Sequence, residues 1–408
     1  MKKLIILTLA FALILSTAAF ASQTRVLTMG DNHVVLTDDA NIWNWASRLN
    51  DYPHLAVGEF SNTFSGDFGS QFFNSNQFTQ FGVHWQFGDD DPWVLATYFD
   101  NSPSNFGGFF GQPGGMSEPS SNQRIHALYA RMMGTNKFGA RVSIYHSSEK
   151  EEDTGEAVLD ESYSYYEGQL SLTADDNSWD VAVTAGFGTW TDKLAFDSLY
   201  SEPDGLVDFA VLGRMFWGSG PNYQYVPHAS LEYHKQGEAY YYNTTVLDET
   251  YKYSAFLLDL GIGQIYTPSS GVEAVIDVGV IFGNFKEDYT DAATPANNYE
   301  YKENLLTIPY FKLGLDAEVF SWLDLRLGAV SFWERFKSED TQGATVYEEW
   351  ENSAFNETFL GFGFHWGNLH IDTYTDPEIF LNGFDFISGA GHDFEEMNFQ
   401  ISAVYDLM

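Results

Sequence analysis

The 408-residue chain contains no cysteine. This excludes disulfides, Cys-ligated zinc, thiol catalysis and a lipidated N-terminal Cys. Basic residues are scarce: 19 Lys+Arg stand against 57 Asp+Glu, for a formal net charge of −38. A chain so poor in cations cannot neutralise phosphates, so general nucleic-acid binding is excluded. Long hydrophobic runs are also missing after residue 22, and a spanning helix needs roughly 20 apolar residues. Any membrane insertion must therefore use strands. Aromatic side chains make up 17% of the residues, far too many for an acidic disordered chain. The length alone would permit two or three soluble domains. The composition fits a folded, aromatic-rich, acid-surfaced exported protein.

The first 21 residues have the form of an export signal. Met1-Lys2-Lys3 is a short basic start, Leu4 to Leu15 is apolar except for Thr8, and Ala19-Phe20-Ala21 is a small-x-small cleavage site. Residues 1–21 are expected to be a signal peptide cut before Ser22, since the apolar run is too short to anchor.

Past residue 50 the hydrophobic period is two. Trp179, Val181, Val183, Ala185 and Phe187 alternate with Asp180, Ala182, Thr184 and Gly186. Val272, Ala274, Ile276, Val278, Val280 and Phe282 oppose Glu273, Val275, Asp277, Gly279 and Ile281. Phe311, Leu313, Leu315, Ala317 and Val319 oppose Lys312, Gly314, Asp316 and Glu318. Leu323, Leu325, Leu327, Ala329 and Trp333 oppose Asp324, Arg326 and Glu334. Such strands have one apolar face and one polar or small face. Aromatics close several of the apolar series, as at a membrane–water interface.

Connections alternate in length. Tight turns are read at Gly134-Thr135-Asn136, Asp175-Asp176-Asn177-Ser178, Pro268-Ser269-Ser270-Gly271 and Gly367-Asn368. Between them lie long polar segments, expected to be loops: 102–123, 150–161, 193–204, 237–249, 287–297, 338–352 and 376–393. Short turns on one rim and long loops on the other describe a transmembrane β-barrel, short toward the periplasm. Counting segments yields about sixteen strands between 54 and 408, with fourteen as the alternative. The even number puts both chain ends on the periplasmic side. In the last segment Phe399, Ile401, Ala403, Tyr405 and Leu407 share a face. A chain ending inside such a strand resembles the C-terminal assembly signal of outer-membrane barrels, with Leu407-Met408 in place of the usual terminal aromatic. The final strand is expected to pair with the first, because an open edge in hydrocarbon leaves unpaired backbone groups.

Residues 22–53 do not alternate. Asp38 or Asp39 could N-cap a short helix on which Ile42, Trp45 and Leu49 lie at helical spacing. Arg25, Met29-Gly30, Asp38-Asp39-Ala40 and Trp43-Asn44 together resemble the start of the long-chain fatty acid transporter family of outer-membrane barrels, including its secretion-system relatives. Asp31 stands where that family usually has a second Gly, and Trp45 where it has Pro. The resemblance covers about thirty residues. It implies a barrel, usually of fourteen strands, whose N-terminal segment folds into the lumen as a hatch and through which hydrophobic molecules pass.

The polar face offers Asp180, Asp259, Glu273, Asp277, Asp316, Glu318, Asp324 and Glu334 as lumen-lining acids, with Lys312 and Arg326 as counter-charges. A water-filled lumen so lined would favour cations or neutral solutes. The alternative is that these residues are paired and hold plug and wall together. Ten histidines include His365 and His370 near a turn, and His228 and His234 at matching strand parity. No His-Glu-x-x-His cluster exists, so they are read as single half-buried or interfacial side chains, with no metal site and no cofactor. His146-Ser147-Ser148-Glu149 is a weak hydrolase candidate, since neighbours on a strand point to opposite faces, and there is no Gly-x-Ser-x-Gly elbow. No catalytic residues and no enzyme activity are expected. Asp89-Asp90-Asp91 and the acidic run 149–153 lack calcium-loop spacing. Phe106, Phe109 and Phe110 could contact a solute, and Tyr240-Tyr241-Tyr242 is expected to form an aromatic patch at the outer rim.

These readings converge on an all-β, antiparallel up-and-down barrel in the outer membrane of a Gram-negative-type bacterium. It comprises a signal peptide (1–21), a lumenal plug (22–53) and a barrel (54–408). The leading function is passive passage of small molecules, hydrophobic ones included, the solute being unknown. The expected partners are outer-membrane lipid, lipopolysaccharide and the barrel-assembly machinery, with no nucleic acid. Two alternatives remain open: a non-transporting barrel that anchors a protein-secretion system, and a soluble secreted β-protein that binds glycans.

Overall fold

A computed structural model describes residues 23–64, 78–89, 91–100, 123–153, 156–194, 199–220, 222–242, 246–292, 294–342, 345–375 and 397–407. The expected signal peptide, most of segment 102–123, segment 376–393 and Phe106, Phe109 and Phe110 lie outside these residues.

Strand β1 is Leu55–Phe64, followed by β2 (Phe78–Phe87), β3 (Trp93–Asp100), β4 (Gln123–Met133), β5 (Asn136–Asp153) and β6 (Glu156–Ala174). Next come β7 (Trp179–Leu194), β8 (Leu199–Met215), β9 (Trp217–Gly220), β10 (Tyr223–Tyr242), β11 (Val246–Ser269) and β12 (Val272–Asp291). The series ends with β13 (Tyr299–Phe320), β14 (Leu323–Gln342), β15 (Thr345–Trp366), β16 (Leu369–Thr375) and β17 (Met397–Asp406). Both β8 and β9 pair with β10, so they are one stave interrupted at Phe216, and the staves number sixteen. All neighbours are antiparallel, and β1 pairs with β2 on one side and β17 on the other, from Leu55↔Asp406 to Phe64↔Met397. The ring is closed. Every interior stave has its backbone partners, the condition for crossing hydrocarbon.

The burial pattern inverts that of a soluble protein. Leu170 (60% exposed), Phe187 (59%) and Ile262 (51%) face outward, whereas Asp180 and Arg214 (2% each) face inward and are buried. Outward rings ladder along the short-turn rim: Phe320 on Trp322 (5.6 Å), Trp322 on Phe364 (6.4 Å) and Phe364 on Trp366 (6.4 Å). An apolar belt with an aromatic girdle around a closed strand ring is the lipid-facing surface of an outer-membrane barrel. The soluble alternative is incompatible with it. The chain is an outer-membrane β-barrel.

The expected loops 150–161, 193–204, 237–249 and 338–352 are corrected by the structure, because most of their residues are strand, and 287–297 is strand only as far as Asp291 before a 3-10 turn at Pro295–Asn297. Strands β11, β13 and β15 run for 24, 22 and 22 residues, about twice the 9–11 needed to cross. On β12 the outward face is apolar from Val272 to Phe282 and then becomes Asn284, Lys286 and Asp288. Lys286 bridges Asp288 and Glu300 on that outer surface, both at 2.8 Å. Charges there cannot face hydrocarbon, so the strands continue into water as paired ribbons. Once neither face must be apolar, the alternation signal disappears although the backbone ladder persists. The short turns fall where expected, with Gly271 and Gly367 at φ +84° and +62° where a side chain would strain the backbone.

Candidate functional site

Residues 23–53 form helix α1 (Gln23–Thr28) and two 3-10 turns, Asp39–Ile42 and Ala46–Asp51. The single helix expected over this region is thus two separate turns. Asp38 does occupy the N-cap of the first, its backbone N–H donating to Asn41 Oδ1 at 3.3 Å. Ile42, Trp45 and Leu49 are buried as their spacing suggested.

This segment touches inward-facing residues on opposite sides of the ring. Helix α1 lies against β14 to β17, and the second 3-10 turn against β3 to β6. The segment thus lies against the inner face of two separate groups of staves. Its wall partners sit near the short-turn rim, such as Asp180 at the start of β7 and Thr173 at the end of β6. The wall there is pared down to glycine. A Cβ on Gly139 would lie 1.9 Å from the Ser47 nitrogen, and one on Gly314 2.5 Å from the Met29 carbonyl oxygen. The segment reciprocates at Gly30, whose φ is +76° and whose Cβ would meet the Leu313 carbonyl oxygen at 2.2 Å.

Ion pairs join segment to wall. Arg25 donates to Glu273 (2.8 Å) and Asp316 (3.1 Å) of the wall and to Asp38 (3.1 Å) of its own segment. Asp316 also accepts from Arg326 at 2.9 Å, and Arg326 reaches Asp372 and Asp324. Asp180 accepts from Arg48 at 2.9 and 2.7 Å and from Arg214 at 2.6 Å. Arg214 further donates to the carbonyls of Val34 and Leu36, both at 2.7 Å, and its guanidinium lies 3.9 Å from the Trp45 ring. Lys312 donates to the Asp31 carbonyl at 3.0 Å. In low dielectric such pairs are costly to form and costly to break, so they specify position.

The remaining motif residues have these places. Met29 is fully buried with Val26, Val35, Leu36, Val226, Ile265 and Val275, and Ala40 packs on that cluster. Trp43 lies edge-on to Tyr98 (4.8 Å) and His126 (5.0 Å), and its carbonyl accepts from Gln169 at 3.2 Å. Asn44 donates to the His33 carbonyl at 3.3 Å. Asp39 is buried with Oδ1 lacking a hydrogen-bond partner. Burial pushes the Asp39 carboxyl well above its usual range, with the charges of Asp38, Asp372 and Glu59 adding to the effect. Burial likewise raises Asp38 to about 6, outweighing the opposing pull of Arg25.

The lumen acids are therefore mostly paired. Asp277 contacts His228 at 3.0 Å, Asp324 contacts His365 at 2.5 Å, and Glu334 accepts from Ser353 at 3.2 Å. Asp259 faces inward beside this group, across from Ser230; Glu318 lies at the short-turn rim against Gly271. The histidines are also not isolated: His126 contacts Asp100 at 2.8 Å, and His365 meets His370 across the ladder. In the hydrolase candidate, His146 faces outward to Ser164 (3.1 Å) while Ser147 is buried. The two cannot act together. Strand β10 ends at Tyr242, and the side chains of Tyr240, Tyr241 and Tyr242 lie outside the described residues. Asp91 pairs with Arg131 at 2.6 Å.

Sequence reasoning overlooked Arg48, Arg214 and Asp372. The available signal was scarcity: with so few cations, each Arg at inward parity needs an acidic partner. The two departures from the family motif are used here, since Trp45 stacks under Arg214 and Asp31 holds Lys312. Beyond the segment, toward the long-ribbon end, the inward face becomes phenolic and acidic. Tyr299 donates to Glu287 at 2.5 Å, and Tyr301 to Glu303 at 2.6 Å.

No protein family matches the sequence, and no curated protein matches it. Solved structures do align with it. A FadL homologue from Pseudomonas aeruginosa shares 8% identity over 96% of this chain and 100% of its own, with a TM-score of 0.43. The toluene transporter TbuX of Ralstonia pickettii shares 9% over 96% and 97%, with a TM-score of 0.42. The alcaligin outer-membrane receptor FauA of Bordetella pertussis shares 8% over 86% and 75%, with a TM-score of 0.41. None of these likenesses assigns a solute to this chain.

Proposed function

We propose that the chain is a passive outer-membrane passage for small molecules, with residues 22–53 as a lumenal plug that must shift for a solute to pass. The observation that carries this reading is the set of arginine contacts between segment and wall: Arg25 to Glu273 and Asp316, Arg48 to Asp180, and Arg214 to the carbonyls of Val34 and Leu36. A scaffold has no need of a separate, electrostatically docked segment in its lumen. Support for hydrophobic solutes comes from the motif of Arg25, Met29-Gly30, Asp38-Asp39-Ala40 and Trp43-Asn44. Lipid and lipopolysaccharide surround the belt, and the barrel-assembly machinery inserts it. No reaction is required, so the protein works as a transporter and not as an enzyme.

The test is solute flux into liposomes containing the purified protein, compared with the R25A/R48A double variant. Wild type is expected to pass small neutral solutes slowly, and the double variant several-fold faster. No flux from either protein, with heat-modifiable gel migration proving both folded, would favour the anchoring alternative and remove this one.

A further inference from the structure

We propose that the short-turn mouth of the barrel carries a two-histidine site for a divalent transition-metal ion, with His365 and His370 as its ligands. The two residues flank the two-residue turn Gly367-Asn368 and are direct cross-strand partners of β15 and β16. Inward parity puts both imidazoles on the lumen side, with His365 three-tenths exposed at the rim. Their Nδ1 atoms face each other at 2.6 Å with the rings nearly perpendicular (87°).

Protonation states follow from the neighbours. Asp324 Oδ2 lies 2.5 Å from His365 Nε2, so that nitrogen carries the proton and Nδ1 presents its lone pair toward His370. A carboxylate on the remote nitrogen of an imidazole is the arrangement that orients a metal-ligating histidine and raises its basicity. Asp324 is itself placed by Arg326 at 3.4 Å, which crosses the wall where Gly363 leaves room. With Zn–N bonds of 2.0–2.1 Å, two tetrahedral ligand nitrogens sit about 3.3 Å apart. Opening the pair by about 0.7 Å, with the proton that His370 Nδ1 holds against His365 Nδ1 passing to its own Nε2, would admit the ion. Such a shift is a rotation of two side chains at an open rim.

Among the described residues no cluster of three or more metal-ligating side chains occurs. The site is accordingly a two-nitrogen chelate completed by water from the open mouth, which suits Ni2+, Cu2+ or Zn2+ and not Ca2+ or Mg2+. Asp324 and Asp372 against Arg326 leave the surroundings net negative, which favours a cation.

The experiment is calorimetric titration of untagged, detergent-solubilised protein with Ni2+ at pH 7.5, alongside His365→Asn, His370→Asn and the control His146→Asn. One ion per wild-type and H146N chain is expected, with affinity at least tenfold weaker in H365N and H370N. Heat-modifiable migration establishes that each variant is folded. Electron paramagnetic resonance of the wild type with one equivalent of Cu2+ should show coupling to two nitrogens. Absence of saturable binding, unchanged affinity in either rim variant, or coupling to fewer than two nitrogens would overturn the assignment.

Discussion

Arg214 shows at the scale of one residue how the bore is organised. Its guanidinium is fully buried, shares Asp180 with Arg48, and caps two carbonyls of the N-terminal segment. Replacing it with Ala leaves Asp180 with Arg48 and Thr173 alone and takes this donor from the two carbonyls. The expected loss is about 3–5 kcal/mol, the range for breaking a buried ion pair from one side, read as a lower urea midpoint in lipid vesicles. Arg48→Ala should cost less, because Asp180 keeps Arg214. A second residue-scale expectation concerns pH. Asp38 and Asp39 both have folded pKa values above the unfolded carboxylate. Their contribution is therefore fully present below about pH 4 and, for Asp38, is lost as pH rises through about 6. Proteolytic protection of residues 23–53 should fall between pH 5 and 7; constant or rising protection contradicts the assignment of burial as the dominant cause. Pairing as such was one of the two readings open to the sequence, but its partners were not: Asp180, Asp316 and Arg326 could be placed on the inner face by parity, whereas the contacts of Arg48 with Asp180 and of Arg25 with Asp316 span 132 and 291 residues.

At the scale of elements, the wall glycines make a distinction that substitution can test. Gly139 and Gly314 face the N-terminal segment at close range, whereas Gly168 has nothing within 4 Å. Gly139→Val or Gly314→Val should expel or loosen the segment while the barrel still forms. Limited proteolysis within 23–53 should accelerate several-fold, with heat-modifiable migration retained and Gly168→Ala unchanged. Strand identity was legible because lipid imposes its apolar demand on every second residue. Strand length was not. Beyond Phe282 on β12 and Trp333 on β14 both faces meet water, so Lys286, Glu300 and Lys302 look like loop while remaining in the ladder. The N-terminal segment was legible only as a motif, because short 3-10 turns leave no sustained period to read.

For the whole molecule, the question is where the large negative charge acts. Most acids near the short-turn rim are held by arginines or histidines, so they contribute little to the field for a passing ion. The ribbons above the membrane carry the excess, including Glu349 and Glu351, whose parity on β15 is inward. Cation over anion preference is expected in planar-bilayer recordings under a salt gradient. Glu349→Gln with Glu351→Gln should move the reversal potential toward zero. A preference for anions, or no shift in the double variant, would contradict this division of charge.

Alternation along each strand is a local consequence of solvent: one face dissolves in lipid and the other does not, residue by residue. Barrel class, the facing of Asp180 or Lys312, and the even stave number could therefore be read directly from the order of residues. Pairing across the bore has no such local rule. Arg25 meets Glu273 over a separation of 248 residues, and His365 meets His370 only because a two-residue turn brings their strands into register. Those encounters are decided by closure of the ring, which brings distant positions to the same height around one enclosed space.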